Sequence, residues 1–311
     1  MKIVLPALAR PLLEQHLPAG HEVRWFTSRE EAGEMVADAD IAWVDQNRPV
    51  WTGETVAKGE RLRWLFTLYA GLDALDLPLL AGRGTIVTNG TGINAVTVAE
   101  YAVLGILAAA KRFDQVVRAA DRREWLTDAP GKLELDETRA LVIGHGTIGR
   151  LIGTRLAGFG VAVTGVTRSG RDGTLTPDAW RERLGEFDWV VLAAPSTGDT
   201  RAMIGAAELA AMKRSAWLIN IARGDMIEEA ALLDALRTRT IAGAFLDPTD
   251  PEPLPAGHPL WTAPNTLLSM HLSGRSQTRM FPRAAALFLR NLEAFLGGRP
   301  MENEVDLRLG Y

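Results

Sequence analysis

The stretch Leu141-Val142-Ile143-Gly144-His145-Gly146-Thr147-Ile148-Gly149 decides how this chain is read. An apolar β-type run, Ala140 to Ile143, opens into Gly-x-Gly-x-x-Gly, and an amphipathic segment follows. In that context the glycines mark a dinucleotide site. Gly144 permits the tight turn, Gly146 lets the backbone approach a pyrophosphate, and Gly149 lets the helix pack close to the strand. The first helical N–H groups and the positive dipole end then face the phosphates. His145, Thr147 and Ile148 complete the turn as candidate cofactor-binding positions, with His145 read as a turn residue and not a catalyst. The motif lies in mid-chain, so the large segment before it needs its own explanation.

On both sides of this motif β-type runs alternate with helical patterns. Strands are expected at Ile3–Ala7, Glu22–Phe26, Ile41–Val44, Trp64–Leu68 and Thr85–Thr88, with helices at Pro11–Leu17 and Glu30–Ala39. Such alternation predicts a parallel sheet covered by helices. Asn94–Phe113 is the longest helical pattern, with Val98, Tyr101, Ala102 and Ile106 at helical spacing. Six further strands, at Arg139–Gly144, Val161–Val166, Trp189–Ala193, Ala216–Ile221, Ala242–Asp247 and Thr266–Met270, alternate with helices Thr147–Ala157, Ala206–Met212 and Glu228–Thr238. That is a doubly wound arrangement. A last helical pattern, Phe281–Leu296, joins the two domains by a second crossing if it returns to the first unit.

Composition narrows the function classes. With 311 residues, one very large domain or two ordinary ones are expected. A hydrophobic fraction of 47% and a charged fraction of 23% suit a packed core. The net charge of −4 provides no strong basic field, which argues against nucleic acid as the main partner. No cysteine is present, excluding disulfides, thiolate chemistry and Cys-ligated zinc. The apolar stretch Ala95–Ala110 contains Glu100 and is too short to span a bilayer. The N-terminus has no signal-peptide layout, so a cytoplasmic protein without a membrane partner is expected.

In an NAD site, an acidic residue about 20 residues past the glycines holds the ribose 2′-OH. Here the second strand ends Gly165-Val166-Thr167-Arg168-Ser169-Gly170-Arg171, with no carboxylate at its end. Arginine can hold a 2′-phosphate through charge-assisted hydrogen bonds. Thr167, Arg168 and Ser169 therefore point to NADPH, with NADH as the alternative. Asp172 reaches a ribose only if its loop folds back.

Three further strand ends carry chemistry. Arg223 follows the apolar run Leu218-Ile219-Asn220-Ile221-Ala222, at the edge where open α/β sheets bind ligands. Phe245-Leu246-Asp247 leads into the acidic, proline-stiffened loop Pro248-Thr249-Asp250-Pro251-Glu252-Pro253-Leu254-Pro255, and Leu267-Leu268-Ser269-Met270 leads to His271. Taken singly, such an arginine is commonly a surface ion pair and such a histidine a hydrogen-bonded packing residue. The acids have prolines between them and no recognised ligand spacing, so no metal is expected.

Together, Ala70-Gly71-Leu72-Asp73, Val98-Ala99-Glu100-Tyr101, the glycine fingerprint, Ile221-Ala222-Arg223-Gly224, the Pro-Glu-Pro-Leu-Pro run and His271 resemble the D-isomer-specific 2-hydroxyacid dehydrogenase family over nearly the whole length. The short chain and its ending, Val305-Asp306 … Gly310-Tyr311, are similar to the glyoxylate/hydroxypyruvate reductase A branch. The resemblance implies two doubly wound parallel-sheet α/β domains, a Rossmann cofactor domain (96–280) inserted in a flavodoxin-like substrate domain (1–95 and 281–311). It makes Arg223 the group that binds the substrate carboxylate and polarises the keto oxygen, His271 the general acid/base and Glu252 its partner. Pro195, Ile221, Ala222 and Asp247 join the candidate cofactor-binding set, Asp247 near the nicotinamide end. Backbone N–H groups of Ala70, Gly71 and Leu72 would bind the substrate carboxylate. By analogy, Asn47, Arg48 and Trp51, after the Ile41–Val44 strand, are candidates for the substrate tail.

These roles agree with elementary chemistry. A guanidinium fork suits a carboxylate beside a carbonyl, and an alkoxide forming at C2 needs a proton donor in the range of histidine. Two departures bear on substrate preference: Met270 replaces the usual proline before the histidine, and Gly274 stands where some reductases have serine. The expectation is NADPH-dependent reduction of glyoxylate or hydroxypyruvate to glycolate or D-glycerate by a homodimer built on the Ala95–Ala110 helix, unless that apolar helix is core. The alternatives are an NAD-dependent dehydrogenase of a bulkier D-2-hydroxy acid and a non-catalytic dinucleotide sensor.

Overall fold

In the computed structural model, residues 1–276 and 278–309 are described; Gly310 and Tyr311, quoted above, lie outside the described residues. The chain forms two units, one from Met1–Asn94 with Ser276–Tyr311 and one from Ala95–Arg275.

The first unit is built on strands β1 (Lys2–Pro6), β2 (Glu22–Phe26), β3 (Ile41–Trp43), β4 (Trp64–Phe66) and β5 (Ile86–Thr88). All pairings are parallel and the order is β2-β1-β3-β4-β5, the flavodoxin-like arrangement. Strands β3 and β4 are buried on both faces, which explains their unbroken apolar sequences. The helix expected over 11–17 splits into α1 (Arg10–Leu13) and a 3-10 turn, Glu14–His16, and Leu17 is already extended. Pro18 imposes that conformation on the residue before it. After α2 (Arg29–Val36) come α3 (Pro49–Ala57) and α4 (Leu77–Arg83), neither of which the periodicity announced. Both begin with proline in the first turn, and α4 is capped by Asp76 and stopped by left-handed Gly84.

The second unit opens with α5 (Ala95–Lys111). The helix expected to reach Phe113 ends two residues short, at Lys111, because Arg112 is left-handed, and α6 (Phe113–Asp121) follows. The cause is tertiary: Gly131 packs against the backbone of Lys111 and Arg112, with room for no side chain. The sheet comprises β6 (Arg139–Ile143), β7 (Ala162–Val166), β8 (Trp189–Leu192), β9 (Trp217–Asn220), β10 (Gly243–Leu246) and β11 (Thr266–Leu268), with α7 (Thr147–Ala157), α8 (Ala206–Ala211) and α9 (Glu229–Thr238) between them. It is all-parallel in the order β11-β10-β9-β8-β6-β7. The order reverses between β6 and β8, at the end of the fingerprint strand, where open α/β sheets bind ligands.

Helix α5 is core. Val98, Ala99, Ala102, Ile106 and Ala109 are buried with Ile219, Trp217 and Phe245 of the sheet, and Gly105 lies directly on the Phe245 ring. Most of its apolar side chains thus pack on its own sheet, while Leu104 stays 51% exposed. Further exposed apolar side chains follow it at Phe113, Val117 and Trp125, the last 93% exposed.

The chain returns to the first unit with α10 (Met280–Leu296). Phe288 stacks on Trp64 at 5.1 Å and meets Phe66 edge-on at 5.6 Å. Each such pair contributes about 0.5–1.5 kcal/mol beyond its burial. Among the described residues no helix is long and apolar enough to cross a membrane.

Candidate active site

In the second unit the fingerprint has a distinct job for each glycine. Gly144 is at φ +98°, and a Cβ there would lie 2.3 Å from the Ala194 nitrogen, so the loop after β8 presses directly on the turn. A Cβ at Gly149 would lie 2.2 Å from the Gly144 oxygen, which seats α7 against β6. Gly146 is different, with no atom within 4 Å of its would-be Cβ. It is exposed with Thr147 at the start of α7, whose first turn has no side-chain cap. The turn thus offers N–H groups unclaimed among the described residues, and open space where a phosphate group fits. The His145 ring packs against Gly165 and Gly153. Burial, and then the Arg150 charge, hold its pKa below the usual histidine range, as suits a neutral packing residue.

The end of β7 folds back on itself. Thr167 N donates to Leu175 O at 3.0 Å and Leu175 N to Gly165 O at 2.8 Å. The Thr167 hydroxyl is engaged inside this loop, accepting from Gly170 N and meeting Thr174 Oγ1 at 2.7 Å. Arg168, Ser169, Arg171 and Asp172 are exposed on it. Pro195 is exposed after β8.

Arg223 lies on a turn set by Asn220, which is fully buried at the end of β9. Asn220 Oδ1 accepts from Ala222 N at 3.0 Å and its Nδ2 donates to Arg223 O at 2.8 Å. Ile221 and Ala222 are buried, and Arg223 Nη1 donates to Ala222 O at 2.8 Å. The following Gly224 carries the next loop: its would-be Cβ falls 2.2 Å from the carbonyl carbon of Thr249 and 2.4 Å from Asp250 N. The arginine turn and the Glu252 loop are therefore in backbone contact, and only glycine allows it.

The Glu252 carboxylate receives His271 Nδ1 at 2.8 and 2.9 Å, both side chains remaining substantially open to solvent. With Nδ1–H held by a carboxylate, Nε2 is left as the proton-exchanging atom. His271 and Met270 are both left-handed, at φ +54° and +55°. Asp247, buried at the end of β10, over-determines that turn. Its carboxylate accepts from Ser269 Oγ at 2.5 Å, Leu272 N at 2.9 Å and Ser273 N at 3.3 Å, while its carbonyl accepts from His271 N at 2.7 Å.

In the first unit, the predicted substrate residues follow β3 and β4. Asn47 and Arg48 are exposed, and the Arg48 guanidinium lies 4.9 Å from the Trp51 ring. Ala70 is exposed, Gly71 half-buried and Leu72 buried. The N–H groups of these three make no hydrogen bond among the described residues. Two residues that shape this loop escaped the sequence reading. Asn89 Nδ2 donates to Ala70 O at 2.9 Å, and Asp45 accepts from Thr67 Oγ1 and Leu68 N. Asp45 carried the same signal as Arg223, a charged residue just past an apolar strand.

Residues 103–273 match the family described as "D-isomer specific 2-hydroxyacid dehydrogenase, NAD binding domain". The chain is 32% identical to a glycerate dehydrogenase of Methylorubrum extorquens over 299 residues, 92% of each chain. It is 30% identical to a D-3-phosphoglycerate dehydrogenase of Methanocaldococcus jannaschii, covering 92% of this chain and 55% of that enzyme. Among solved structures, a D-isomer-specific 2-hydroxyacid dehydrogenase family protein of Aeromonas salmonicida superposes with TM-score 0.87 at 29% identity, over 98% of this chain and 99% of that one. An NADPH-dependent glyoxylate/hydroxypyruvate reductase of Sinorhizobium meliloti, in complex with NADP and malonate, does so with TM-score 0.78 at 26% identity, over 99% and 98%.

Proposed function

The chain belongs to the D-isomer-specific 2-hydroxyacid dehydrogenase family, and from that premise we propose that it uses NADPH to reduce glyoxylate or hydroxypyruvate, giving glycolate or D-glycerate. The observation that carries the catalytic reading is the bond from His271 Nδ1 to both Glu252 oxygens.

The fingerprint fits a dinucleotide, because Gly146 opens onto free space at an uncapped helix start. Gly144, Gly146 and the first N–H groups of α7 would hold the pyrophosphate; the bound dinucleotide would supply a hydride to C2 of the keto acid. The chain's own residues do the rest. The N–H groups of Ala70, Gly71 and Leu72 bind the substrate carboxylate. In the second unit, the Arg223 guanidinium suits a 2-keto acid and would polarise the keto oxygen. As that oxygen gathers negative charge, His271 donates a proton from Nε2, and Glu252 holds the ring in the tautomer and direction that transfer needs.

NADPH is favoured because no carboxylate stands at the end of β7, where Thr167, Arg168 and Ser169 are found instead. An arginine and a hydroxyl suit a 2′-phosphate. The second reading, NADH with a bulkier D-2-hydroxy acid, requires Asp172 in the 167–175 loop to reach the ribose. Assembly is proposed as a homodimer through the exposed apolar side chains of α6 and Trp125.

The test is a panel of glyoxylate, hydroxypyruvate, pyruvate and bulkier 2-keto acids with each dinucleotide. Highest kcat/KM is expected for glyoxylate and hydroxypyruvate with NADPH. His271→Ala should lower kcat by about 10²–10⁴-fold. Unchanged turnover in that variant removes His271 from the mechanism, and no turnover of any keto acid by the wild type leaves dinucleotide sensing as the surviving reading.

A further inference from the structure

The Ala70–Leu72 loop carries N–H groups turned to no partner among the described residues, so its shape has to be held from elsewhere. On the carbonyl side, Tyr69 O accepts from Gly90 N at 3.1 Å and Ala70 O from Asn89 Nδ2 at 2.9 Å. Gly90 is pressed so closely that a Cβ there would lie 1.9 Å from Leu68 O. On the N–H side the loop's entry is tied to Asp45. Its Oδ2 accepts from Leu68 N at 2.7 Å and from Trp43 Nε1 at 2.8 Å, and its Oδ1 accepts from Thr67 Oγ1 at 2.6 Å. Thr67 Oγ1 in turn accepts from Tyr69 N at 3.2 Å. The carboxylate therefore bridges the end of β3 to the two residues that launch the loop.

Burial pushes the Asp45 carboxyl up to about 6, against the pull of its donors. A charge in this place works against folding, and packing alone gives no reason for it.

We propose that Asp45 is a positioning residue for the substrate carboxylate, aiming the N–H groups of Ala70, Gly71 and Leu72 through its bonds to Leu68 and Thr67. This rests on the reading of that loop as the carboxylate-binding segment. Asp45 touches no substrate; it fixes the direction of groups that do.

Steady-state kinetics of the full-length enzyme test it, varying glyoxylate and NADPH separately for wild type, Asp45→Ala, Asp45→Asn and Thr67→Val. Asp45→Ala should raise the glyoxylate KM at least about tenfold, the scale of one lost charge-assisted hydrogen bond. The NADPH KM should stay within about twofold, because the loop belongs to the other site. Asp45→Asn keeps an oxygen for Leu68 N–H and should recover most of the loss, and Thr67→Val should show a smaller rise. If Asp45→Ala fails to fold, Thr67→Val decides on the same measure. An unchanged glyoxylate KM, or equal rises for both substrates, overturns the proposal while leaving the reductase reading intact. A wild type that turns over no 2-keto acid overturns both.

Discussion

At the scale of single residues, position 270 explains a departure that sequence comparison could only note. Proline is usual there, but Met270 sits at φ +55°, which a proline ring cannot reach. Met270 and His271 each accept a conformation costing a non-glycine residue about 1–2 kcal/mol, and the buried Asp247 carboxylate holds them in it. Asp247 was read from sequence as a cofactor neighbour; its carboxylate's described hydrogen bonds go to the histidine turn, and its N–H donates to Asn220 O at 2.9 Å. Arg168 belongs to this scale too. Replacing it by aspartate should move the ratio of kcat/KM values from NADPH towards NADH, since a carboxylate repels a 2′-phosphate and accepts from a ribose hydroxyl. An undiminished NADPH preference in Arg168→Asp removes that residue from cofactor choice.

At the scale of elements, glycines decide where loops touch. Gly224 and Gly146 look alike in sequence, each beside a predicted site residue, yet their surroundings are opposite. Gly224→Ala drives a methyl group into the Thr249–Asp250 backbone, and should cost about 1–3 kcal/mol in urea unfolding while lowering kcat by displacing Glu252. Gly146→Ala meets nothing within 4 Å. It should leave unfolding unchanged and weaken dinucleotide binding, read by fluorescence titration. Equal stability of the two variants would contradict this division. The central strand runs were legible because both sheets are parallel, and strands such as β3, β4 and β8 are buried and apolar throughout. Helices α3, α4 and α6 were not, since short helices carry few periods of pattern and the α5–α6 break depends on Gly131, far along the chain.

At the scale of the whole molecule, the longest apolar helix invited an intermolecular reading, yet most of its apolar side chains pack on its own sheet. Core and interface share one composition, and only the tertiary partner distinguishes them. Phe113 and Val117 of α6 and Trp125 just beyond it form one run of exposed apolar side chains. The wild type is expected to run as a dimer in light scattering, and Trp125→Glu combined with Phe113→Glu should shift it to monomer without loss of helicity. A monomeric wild type at micromolar concentration, or a dimer untouched by the double substitution, would remove this face from the assembly.

By itself the sequence determined the parallel α/β architecture and the dinucleotide turn, because periodicity and glycine spacing are local properties of the chain, whereas Arg223, Glu252 and His271 are proposed as the chemical set through the family resemblance. Tertiary structure alone decided that Glu252 meets His271, that Gly224 is the contact between the arginine turn and the acidic loop, that α5 is core and α10 returns to the first sheet, and that Asp45 anchors the Leu68–Leu72 loop. Each of these depends on backbone segments distant in sequence coming within a few ångströms, and no local pattern records that approach.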